Sequence, residues 1–332
     1  MILAIESSCD DSAICITEIE TKKVIFHKRI SQEAEHSKYG GVVPELAARM
    51  HADNLPEILQ EVDCYFENIK AVAVTNAPGL TVSLMEGVMM AKAISLALNV
   101  PIVPINHIKG HIYSVFIEKE SVFPLSALVV SGGHTQVIEA KSYNNMKIVA
   151  SSMDDSIGEG FDKVAKMLGF DYPGGPIIEK MAKNGDKNRF KFTVPLKNKK
   201  EIEFSYSGLK NSIRLAIDEL GENISEQDKK DIAASFQKVA FEHLFDKLRR
   251  YFDMIRPKIF AVVGGVSANE YFREHLVVLC LKYEIEPIFA KLEYCSDNAV
   301  MIARAGLDAF FQERFVGFEE LDVKSRVDLE SE

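Results

Sequence analysis

The sequence predicts an α/β fold with two related halves, and a repeated strand pattern is the main observation behind that prediction. A buried strand ends in a polar turn and is followed by two β-branched strands, at 2–5, 12–17 and 24–30. The same unit returns about half a chain later, at 126–130, 135–140 and 147–150. Chance likeness between two β-meanders is the alternative, but a repeat of this kind favours a duplicated unit. Helical and strand patterns alternate outside these units, which is typical of α/β proteins.

The remaining elements follow from hydrophobic periodicity and from capping residues. Helices are predicted at 44–59, 82–98, from about 156, at 231–252, after 269 and at 299–311. Short buried strands are predicted at 71–75, 101–104 and 259–263. The run Tyr-Pro-Gly-Gly-Pro predicts a rigid loop at 172–176, because prolines restrict the backbone and glycines free it.

The length of 332 residues predicts two domains, since one domain commonly takes roughly 100–200 residues. We expect a first lobe at 1–122 and a second lobe at 123–296, each opening with one of the repeated strand units. The segment 297–332 is expected to supply a C-terminal helix that packs back on the first lobe, followed by an acidic tail. The polar turns of the two units are expected to face a shared cleft.

The composition excludes several classes of protein. Hydrophobic residues make up 47% of the chain and charged residues 27%, which is the balance of a folded protein. The 39 basic and 49 acidic residues give a net charge of −10, so any nucleic-acid contact requires a local basic patch or a partner. Five cysteines without a C-x-x-C pair argue against a disulfide framework and a cysteine zinc site. The apolar stretch 88–105 is too interrupted to span a bilayer, and the first residues lack the basic n-region of a secretory signal and read as a strand. We therefore expect a cytoplasmic protein with no membrane contact.

Two histidines and one aspartate are candidates for a metal site. His107 and His111 stand four residues apart behind Asn106, which is placed to cap a helix. Residues at i and i+4 share one helix face, so two imidazoles can bind one ion, although a pair of surface histidines has the same spacing. Asp297, just before the helix at 299–311, is the best third ligand. Two imidazoles and a carboxylate leave coordination positions open for reaction, and Fe²⁺ or Zn²⁺ suits them.

Three glycine-bearing turns are candidates for a nucleotide site: Ser131-Gly132-Gly133, Gly174-Gly175 and Gly264-Gly265. Small residues let backbone N–H groups approach phosphate oxygens, although a turn that needs positive φ explains each pair equally well. The chain has neither a P-loop nor a G-x-G-x-x-G motif, so a nucleotide held between two lobes fits better. Asp10, Asp11 and Asp162 lie near such turns and can bind a metal, a ribose hydroxyl or an ammonium group. Stabilisation of a turn is the alternative role for Asp10 and Asp11.

The segment Lys183–Lys200 reverses the sign of the charge of the chain. It contains seven basic residues and one acidic residue, with Phe190 and Phe192 between them. A surface of this kind can receive a phosphate backbone. A solvated lysine-rich loop is the alternative.

A series of longer motifs runs through nearly the whole chain in a fixed order. They are IESSCDDS (5–12), GGVVPELAARMH (40–51), NAPGL (76–80), NHIKGH (106–111), VSGGHTQ (130–136), GEGFDKVAKMLGFDYPGGP (158–176), FSYSGLK (204–210), DIAASFQ (231–237), VVGGVSAN (262–269) and CSDNAVMIA (295–303). Together they resemble the tRNA threonylcarbamoyladenosine synthases, the TsaD family, formerly called O-sialoglycoprotein endopeptidases.

The resemblance implies a two-lobed actin/Hsp70/sugar-kinase-like fold and a metal held by His107, His111 and Asp297, with Fe²⁺ favoured over Zn²⁺. It implies that the substrate threonylcarbamoyl-adenylate is bound by Ser131, Gly132, Gly133, His134, Thr135, Asp162, Gly175 and Asn269. The family transfers the threonylcarbamoyl group to the exocyclic amine of the adenosine 3′ of the anticodon, in tRNAs that read codons beginning with A. Its bacterial members work with a TsaB-type paralogue and a TsaE-type ATPase. Asp10 and Asp11 are the candidates for a general base.

Two other function classes remain open at this stage. An ATPase or small-molecule kinase of the same fold would use the glycine turns, but such enzymes hold magnesium through carboxylates and phosphates rather than imidazoles. A metallopeptidase would use the two histidines, but Ile108 stands where the H-E-x-x-H motif has its glutamate.

Overall fold

Strands of the protein form two five-stranded sheets among residues 1–221, 223–327 and 329, which the computed structural model describes. The strands are β1 (Ile2–Glu6), β2 (Asp11–Thr17), β3 (Val24–Ser31), β4 (Ala71–Ala77), β5 (Ile102–Asn106), β6 (Leu125–Val130), β7 (Thr135–Ser142), β8 (Asn145–Ser151), β9 (Ile259–Val263) and β10 (Glu286–Phe289). The α-helices are α1 (Glu33–Ser37), α2 (Pro44–Gln60), α3 (Thr81–Leu98), α4 (His107–Tyr113), α5 (Ile157–Met167), α6 (Gly174–Ala182), α7 (Ser207–Leu220), α8 (Glu226–Met254), α9 (Glu270–Lys282) and α10 (Ala299–Phe311).

The two sheets have the same strand order. The first runs β3-β2-β1-β4-β5 and the second runs β8-β7-β6-β9-β10, so each strand of the first has a counterpart in the second. In the first sheet, β1 pairs antiparallel with β2 and parallel with β4. In the second, β9 pairs parallel with both β6 and β10. The duplicated unit that the sequence predicts is therefore confirmed.

The chain divides into two compact units. Unit 1 comprises Met1–Phe123, Ala140–Met146 and Ala290–Glu332, and unit 2 comprises Pro124–Glu139 and Lys147–Phe289. The predicted boundaries of the first lobe, the second lobe and the C-terminal segment stay a prediction.

Unit 1 buries its sheet between helices on both faces. Val72 and Val74 of β4 belong to the core cluster that also contains residues of α2 and α3. Because side chains alternate along a strand, Ala73 points to the opposite face. There Gly306 of α10 packs so closely that a Cβ on it would lie 2.8 Å from the Cβ of Ala73. Helix α10 contacts β1, β2, β4 and β5 on that face.

Helix α3 is the one described helix that is long and apolar enough to cross a membrane. Its mean hydropathy is 1.4 over 18 residues. The helix contacts β4 and α2 and buries Leu84, Val88 and Ala91 against them. A helix that packs in the core of a folded unit passes the same test of length and composition.

Unit 2 differs from the sequence prediction in four places. Helix α8 begins at Glu226 rather than at 231, because Ser225 and Asp228 form a capping box ahead of a polar first turn that shows no hydrophobic periodicity. The predicted loop at 172–176 ends early, since α6 already begins at Gly174. Helix α7 and the four-residue strand β10 were not predicted.

Candidate functional site

The two histidines of NHIKGH lie on one face of α4. The side-chain oxygen of Asn106 accepts hydrogen bonds from the backbone N–H groups of Ile108 and Lys109, at 2.8 and 3.3 Å. This cap starts the helix immediately after β5, as the sequence predicts. The rings of His107 and His111 then lie 4.6 Å apart between centroids, with their planes at 81°. Both side chains are buried.

Asp297 reaches both histidines from the loop before α10. Its Oδ1 lies 3.1 Å from Nε2 of His111 and 3.6 Å from Nε2 of His107. One ligand atom from each of the three residues falls within 4.8 Å of the others. Two atoms bound to one ion at about 2.1 Å each are roughly 3–3.5 Å apart. The structure therefore brings the three predicted metal ligands together, and the two separations from Asp297 are close to those around one ion.

Close helix packing places Asp297 beside the histidines. A Cβ on Gly110 of α4 would lie 2.7 Å from Cδ1 of Ile302 on α10, so the two helices approach each other closely at this glycine. The side chain of Asn298 accepts a hydrogen bond from the Met301 N–H at 2.9 Å and so starts α10 immediately after Asp297. Across the sheet, Arg29 of β3 donates to the Ser296 hydroxyl at 2.6 Å and to the Asp297 carbonyl at 3.4 Å.

The environment of His111 fits a bound metal ion. Its side chain is 0% exposed, and among the described residues neither ring nitrogen makes a hydrogen bond. Leaving a buried polar group without a partner costs about 1–3 kcal/mol. An ion between Nε2 of His111 and Oδ1 of Asp297 would satisfy the nitrogen that faces the carboxylate.

Glu6 contacts the ring nitrogen of His107 that faces away from Asp297. Nδ1 of His107 lies 3.1 Å from Oγ of Ser8 and 3.3 Å from Oε2 of Glu6. The Glu6 carboxylate is fully buried and also accepts hydrogen bonds from the Ser8 N–H at 2.6 Å and the Thr75 hydroxyl at 2.5 Å. A proton held on Nδ1 leaves Nε2 as the ligand atom. Sequence reasoning missed Glu6, although an acidic residue at the end of an otherwise apolar buried strand signals such a role.

The same carboxylates control the charge of His107. Burial by itself would lower the pKa of His107, but Asp297 and Glu6 outweigh it and raise the pKa to about 9. Burial also opposes ionisation of Glu6, yet His107 lowers its pKa below the usual value. A metal ion would therefore displace a proton from His107 at neutral pH, so metal binding would release a proton.

Asp10 and Asp11 lie in the electrostatic field of Asp297. Burial raises the pKa of Asp11 to about 7, although Arg29 opposes the shift, and the charge of Asp297 adds to it. Burial and Asp297 also raise the pKa of Asp10. Nη1 of Arg29 lies 3.4 Å from Oδ2 of Asp11, so one arginine contacts both Asp11 and the loop of Asp297.

A buried hydrogen-bond network supports the turn between β1 and β2. Nε2 of His51 donates to the Cys9 carbonyl at 3.0 Å, because a carbonyl can only accept. Nδ1 of His51 then accepts from the Ser12 hydroxyl at 2.7 Å and from the Gln32 amide at 3.2 Å. Burial lowers the pKa of His51, which suits the neutral ring that this pattern requires.

The predicted substrate residues of the β6–β7 turn pack against the start of α5. The Thr135 hydroxyl accepts a hydrogen bond from the Ile157 N–H at 2.8 Å. The Ser131 hydroxyl accepts one from the His134 N–H at 3.1 Å. A Cβ on Gly158 would lie 2.4 Å from the Ser131 carbonyl oxygen, so the helix start touches the turn. Space is open beside Gly132 and Gly133, where an added Cβ would meet nothing within 4 Å.

The other predicted substrate residues have local hydrogen-bonding roles in unit 2. Oδ1 of Asp162 accepts from the Gly174 N–H at 2.7 Å and joins α5 to α6. Asn269 caps α9 through the Phe272 N–H at 2.9 Å. Gly264, at φ +92°, passes so close to β6 that a Cβ would lie 2.4 Å from the Val130 carbonyl oxygen. The turns after β6 and β9 therefore meet at the carboxyl ends of two parallel strands, where α/β proteins bind ligands.

Two solved structures share the fold of the chain. Full-length HypF, in a form bound to phosphate and nucleotide, matches 95% of this chain and 47% of its own length, with a TM-score of 0.63 and 14% identity. The activator of the 2-hydroxyisocaproyl-CoA dehydratase from Clostridium difficile, with bound ADPNP, matches 94% of each chain, with a TM-score of 0.55 and 13% identity. The predicted actin/Hsp70/sugar-kinase-like fold is therefore confirmed.

Curated relatives share the sequence over nearly its whole length. Residues 23–304 match the family model for tRNA N6-adenosine threonylcarbamoyltransferase. Proteins of that name from a Nitratiruptor species and from Sulfurimonas denitrificans are 58% and 59% identical, over 97% of this chain and 97% and 98% of the relatives. One from Helicobacter pylori is 50% identical over 98% of each chain. The chain belongs to the tRNA N6-adenosine threonylcarbamoyltransferase family.

Proposed function

We propose that the protein transfers the threonylcarbamoyl group from threonylcarbamoyl-adenylate to the exocyclic amine of the adenosine 3′ of the anticodon, in tRNAs that read codons beginning with A. The observation that carries the proposal is the convergence of His107, His111 and Asp297 in a chain of this family. The amine nitrogen forms a bond to the carbamoyl carbon, the bond from that carbon to the phosphate oxygen breaks, and AMP leaves with the electron pair.

The three converging side chains would hold one divalent ion, with Fe²⁺ favoured and Zn²⁺ as the alternative, because imidazole and carboxylate donors suit both. Such an ion supplies a Lewis acid that stabilises negative charge developing at a carbonyl oxygen. Glu6 orients the ring of His107 so that Nε2 faces Asp297, 3.6 Å from its Oδ1. Arg29 holds the loop of Asp297 through its backbone carbonyl.

Unit 2 would bind the adenylate. The residues that we assign to it are Ser131, Gly132, Gly133, His134, Thr135, Asp162, Gly175 and Asn269. Support comes from the open space beside Gly132, Gly133 and Gly175, where no atom lies within 4 Å of an added Cβ. The N-terminus of α5, which touches this turn, adds a dipole that favours an anionic phosphate.

Transfer also requires that the amine lose a proton. Asp10 and Asp11 are the candidates for its acceptor, and a pKa of about 7 for Asp11 suits proton transfer near neutral pH. An adenosine amine is a weak nucleophile, so correct positioning of the two substrates must supply much of the rate.

We also propose a cytoplasmic location and a complex with a TsaB-type paralogue and a TsaE-type ATPase. The net charge of −10 supports shared tRNA binding, because an acidic chain repels the phosphate backbone everywhere except at a local basic patch.

The test combines metal analysis with an activity assay. Purified protein is incubated with synthetic threonylcarbamoyl-adenylate and unmodified tRNA, with and without the two partners, and the modified nucleoside is measured by mass spectrometry. We expect His111→Ala to lose both bound metal and transfer while circular dichroism stays unchanged. The matched control is His275→Ala on α9, which should keep both. Full transfer by a metal-free His111→Ala protein would remove the metal from the mechanism.

A further inference from the structure

A loop of unit 2 exposes three lysines that have no partner within the protein. We call residues 196–201, which contain Lys197, Lys199 and Lys200, the lysine loop. All three side chains are exposed. Across the described part of the chain, none of the three ammonium groups forms an ion pair or a hydrogen bond. Their positive charge is therefore available to something outside the protein.

A buried lysine holds this loop in place. Lys247 of α8 is 0% exposed, and its ammonium group donates hydrogen bonds to three carbonyl oxygens of the loop. The bonds go to Leu196 at 2.9 Å, Lys199 at 3.0 Å and Glu201 at 3.1 Å. One turn further along α8, Arg250 donates to the Lys197 carbonyl at 3.0 Å. The loop is thus anchored through its backbone, which leaves its lysine side chains free to point into solvent.

This anchoring places the buried positive charge of Lys247 close to the exposed positive charges of the lysine loop. Carbonyl oxygens satisfy the hydrogen bonds of Lys247 but carry no net charge to neutralise it. Burial lowers the pKa of Lys247, Arg250 lowers it further, and Asp246, Glu201 and Glu203 act in the opposite direction. Within the described residues, no carboxylate lies within ion-pair distance of Lys247, although Asp246 pairs with Arg250 at 3.3 Å. An anion bound at the loop would relieve this repulsion.

Two other cations of the basic segment, Lys183 and Arg189, form ion pairs within the protein. Lys183 pairs with Glu270 at 2.6 Å. Arg189 pairs with Asp231 at 2.8 Å and also with Asp228. These two side chains neutralise acidic groups of unit 2 itself, so they are less available to an external anion than the three lysines of the lysine loop.

We propose that the lysine loop is a phosphodiester-binding surface that contacts the backbone of the tRNA substrate. The proposal rests on the proposed function, which supplies the tRNA. The exposed residues of the loop, 197–201, include no apolar side chain that could form the core of a protein interface. Lysines act as point charges for phosphates and read no base sequence, which suits an enzyme with several tRNA substrates.

The test is the salt dependence of tRNA binding. Unmodified tRNA transcript is titrated with the full-length protein at several salt concentrations, and binding is followed by fluorescence anisotropy. The variant replaces Lys197, Lys199 and Lys200 with Ser. Each lost phosphate contact lowers the slope of log affinity against log salt by about 1, so we expect a slope smaller by about 3 and weaker binding at low salt.

Two further variants separate the lysine loop from general charge. A control variant replaces Lys70, Lys119 and Lys141, all exposed in unit 1, with Ser. It makes the same change in net charge and should leave the slope of log affinity against log salt unchanged. Lys247→Met keeps the three exposed lysines but removes their anchor, and it should weaken binding if it folds. The triple variant decides the question if Lys247→Met does not fold.

An unchanged slope in the triple variant of the lysine loop, or an equal loss in the unit 1 control, would overturn the proposal. Displacement of the tRNA by poly-glutamate as readily as by duplex RNA would indicate an acidic protein ligand and would also overturn it. The nucleoside assay keeps the two proposals apart. If tRNA binding depends on the lysine loop but no modified nucleoside forms, the proposed function is wrong. If the wild-type protein forms the modified nucleoside but tRNA binding does not depend on the lysine loop, the proposed phosphodiester-binding surface is wrong.

Discussion

Replacement of Glu6 by Gln should weaken metal binding without touching a metal ligand. The amide would keep the size of the carboxylate but replace one acceptor oxygen with an NH₂ group. If that group faces His107, it meets the Nδ1–H and favours the tautomer with the proton on Nε2, the nitrogen that faces Asp297. If it faces the other way, it meets the Ser8 N–H, which lies 2.6 Å from Oε1 in the wild type. Either orientation leaves two donors in conflict in a fully buried position.

The size of the effect follows from the bonds that are lost. A hydrogen bond to a charged group contributes about 1.5–3 kcal/mol, and each 1.4 kcal/mol is about tenfold in an equilibrium constant. We therefore expect the metal dissociation constant to rise by about 10- to 100-fold, the range typical of residues that orient metal-bound histidines.

The assay is competition between the metal-free protein and a chromophoric chelator, with Zn²⁺ in air and Fe²⁺ under anaerobic conditions. Thr75→Val is the matched control, because its hydroxyl donates to the same Glu6 oxygen, at 2.5 Å, without touching His107. The control should lose stability but change metal affinity by less than about threefold, since the Nδ1 contact of His107 survives. A folded Glu6→Gln protein with wild-type metal affinity would refute the orienting role of Glu6.

Three further predictions concern stability, measured by urea unfolding. Burial, with help from Lys247, lowers the pKa of His243 from 6.5 to about 4. Between these pH values the unfolded chain binds a proton on this ring that the folded protein does not. The full stability of the fold is therefore present above pH 6.5 and is lost as the pH falls towards 4. Between pH 7.5 and 4.5, wild type should lose about 2–3 kcal/mol more than His243→Gln, and equal losses would contradict the shift. Gly158→Ala should lower the free energy of unfolding by about 1–3 kcal/mol, because the added Cβ would meet the neighbouring turn. Gly133→Ala, in open space, should lower it by less than about 0.5 kcal/mol. Similar losses in the two variants would argue against the close approach at Gly158. His51→Phe removes the hydrogen bonds of the ring to the Cys9 carbonyl, Ser12 and Gln32 and should lower the free energy of unfolding by about 2–4 kcal/mol, so a neutral result would exclude the network.

Local patterns were enough to predict the duplicated sheets and the pair of histidines. Strand alternation, turn residues and the Asn106 cap act over a few residues, so the sequence carries them directly. The spacing of His107 and His111 places both on one face because a helix repeats every 3.6 residues. The predictions were weaker where a segment was short or polar. Strand β10 has four residues, and the first turn of α8 shows no apolar periodicity.

The sequence by itself determined most of the elements, the repeat and the types of metal ligand, with the family motifs pointing to Asp297. Only the tertiary structure decided that Asp297 lies 3.1 Å from His111, that Glu6 supports His107, and that Lys247 anchors the lysine loop. It also decided which cations are neutralised internally. The physical reason is that these contacts join residues far apart in the chain, and their distances depend on how closely helices pack, as Gly110 allows for α4 and α10. Periodicity reports which face of an element is buried, but not which distant side chain meets it there.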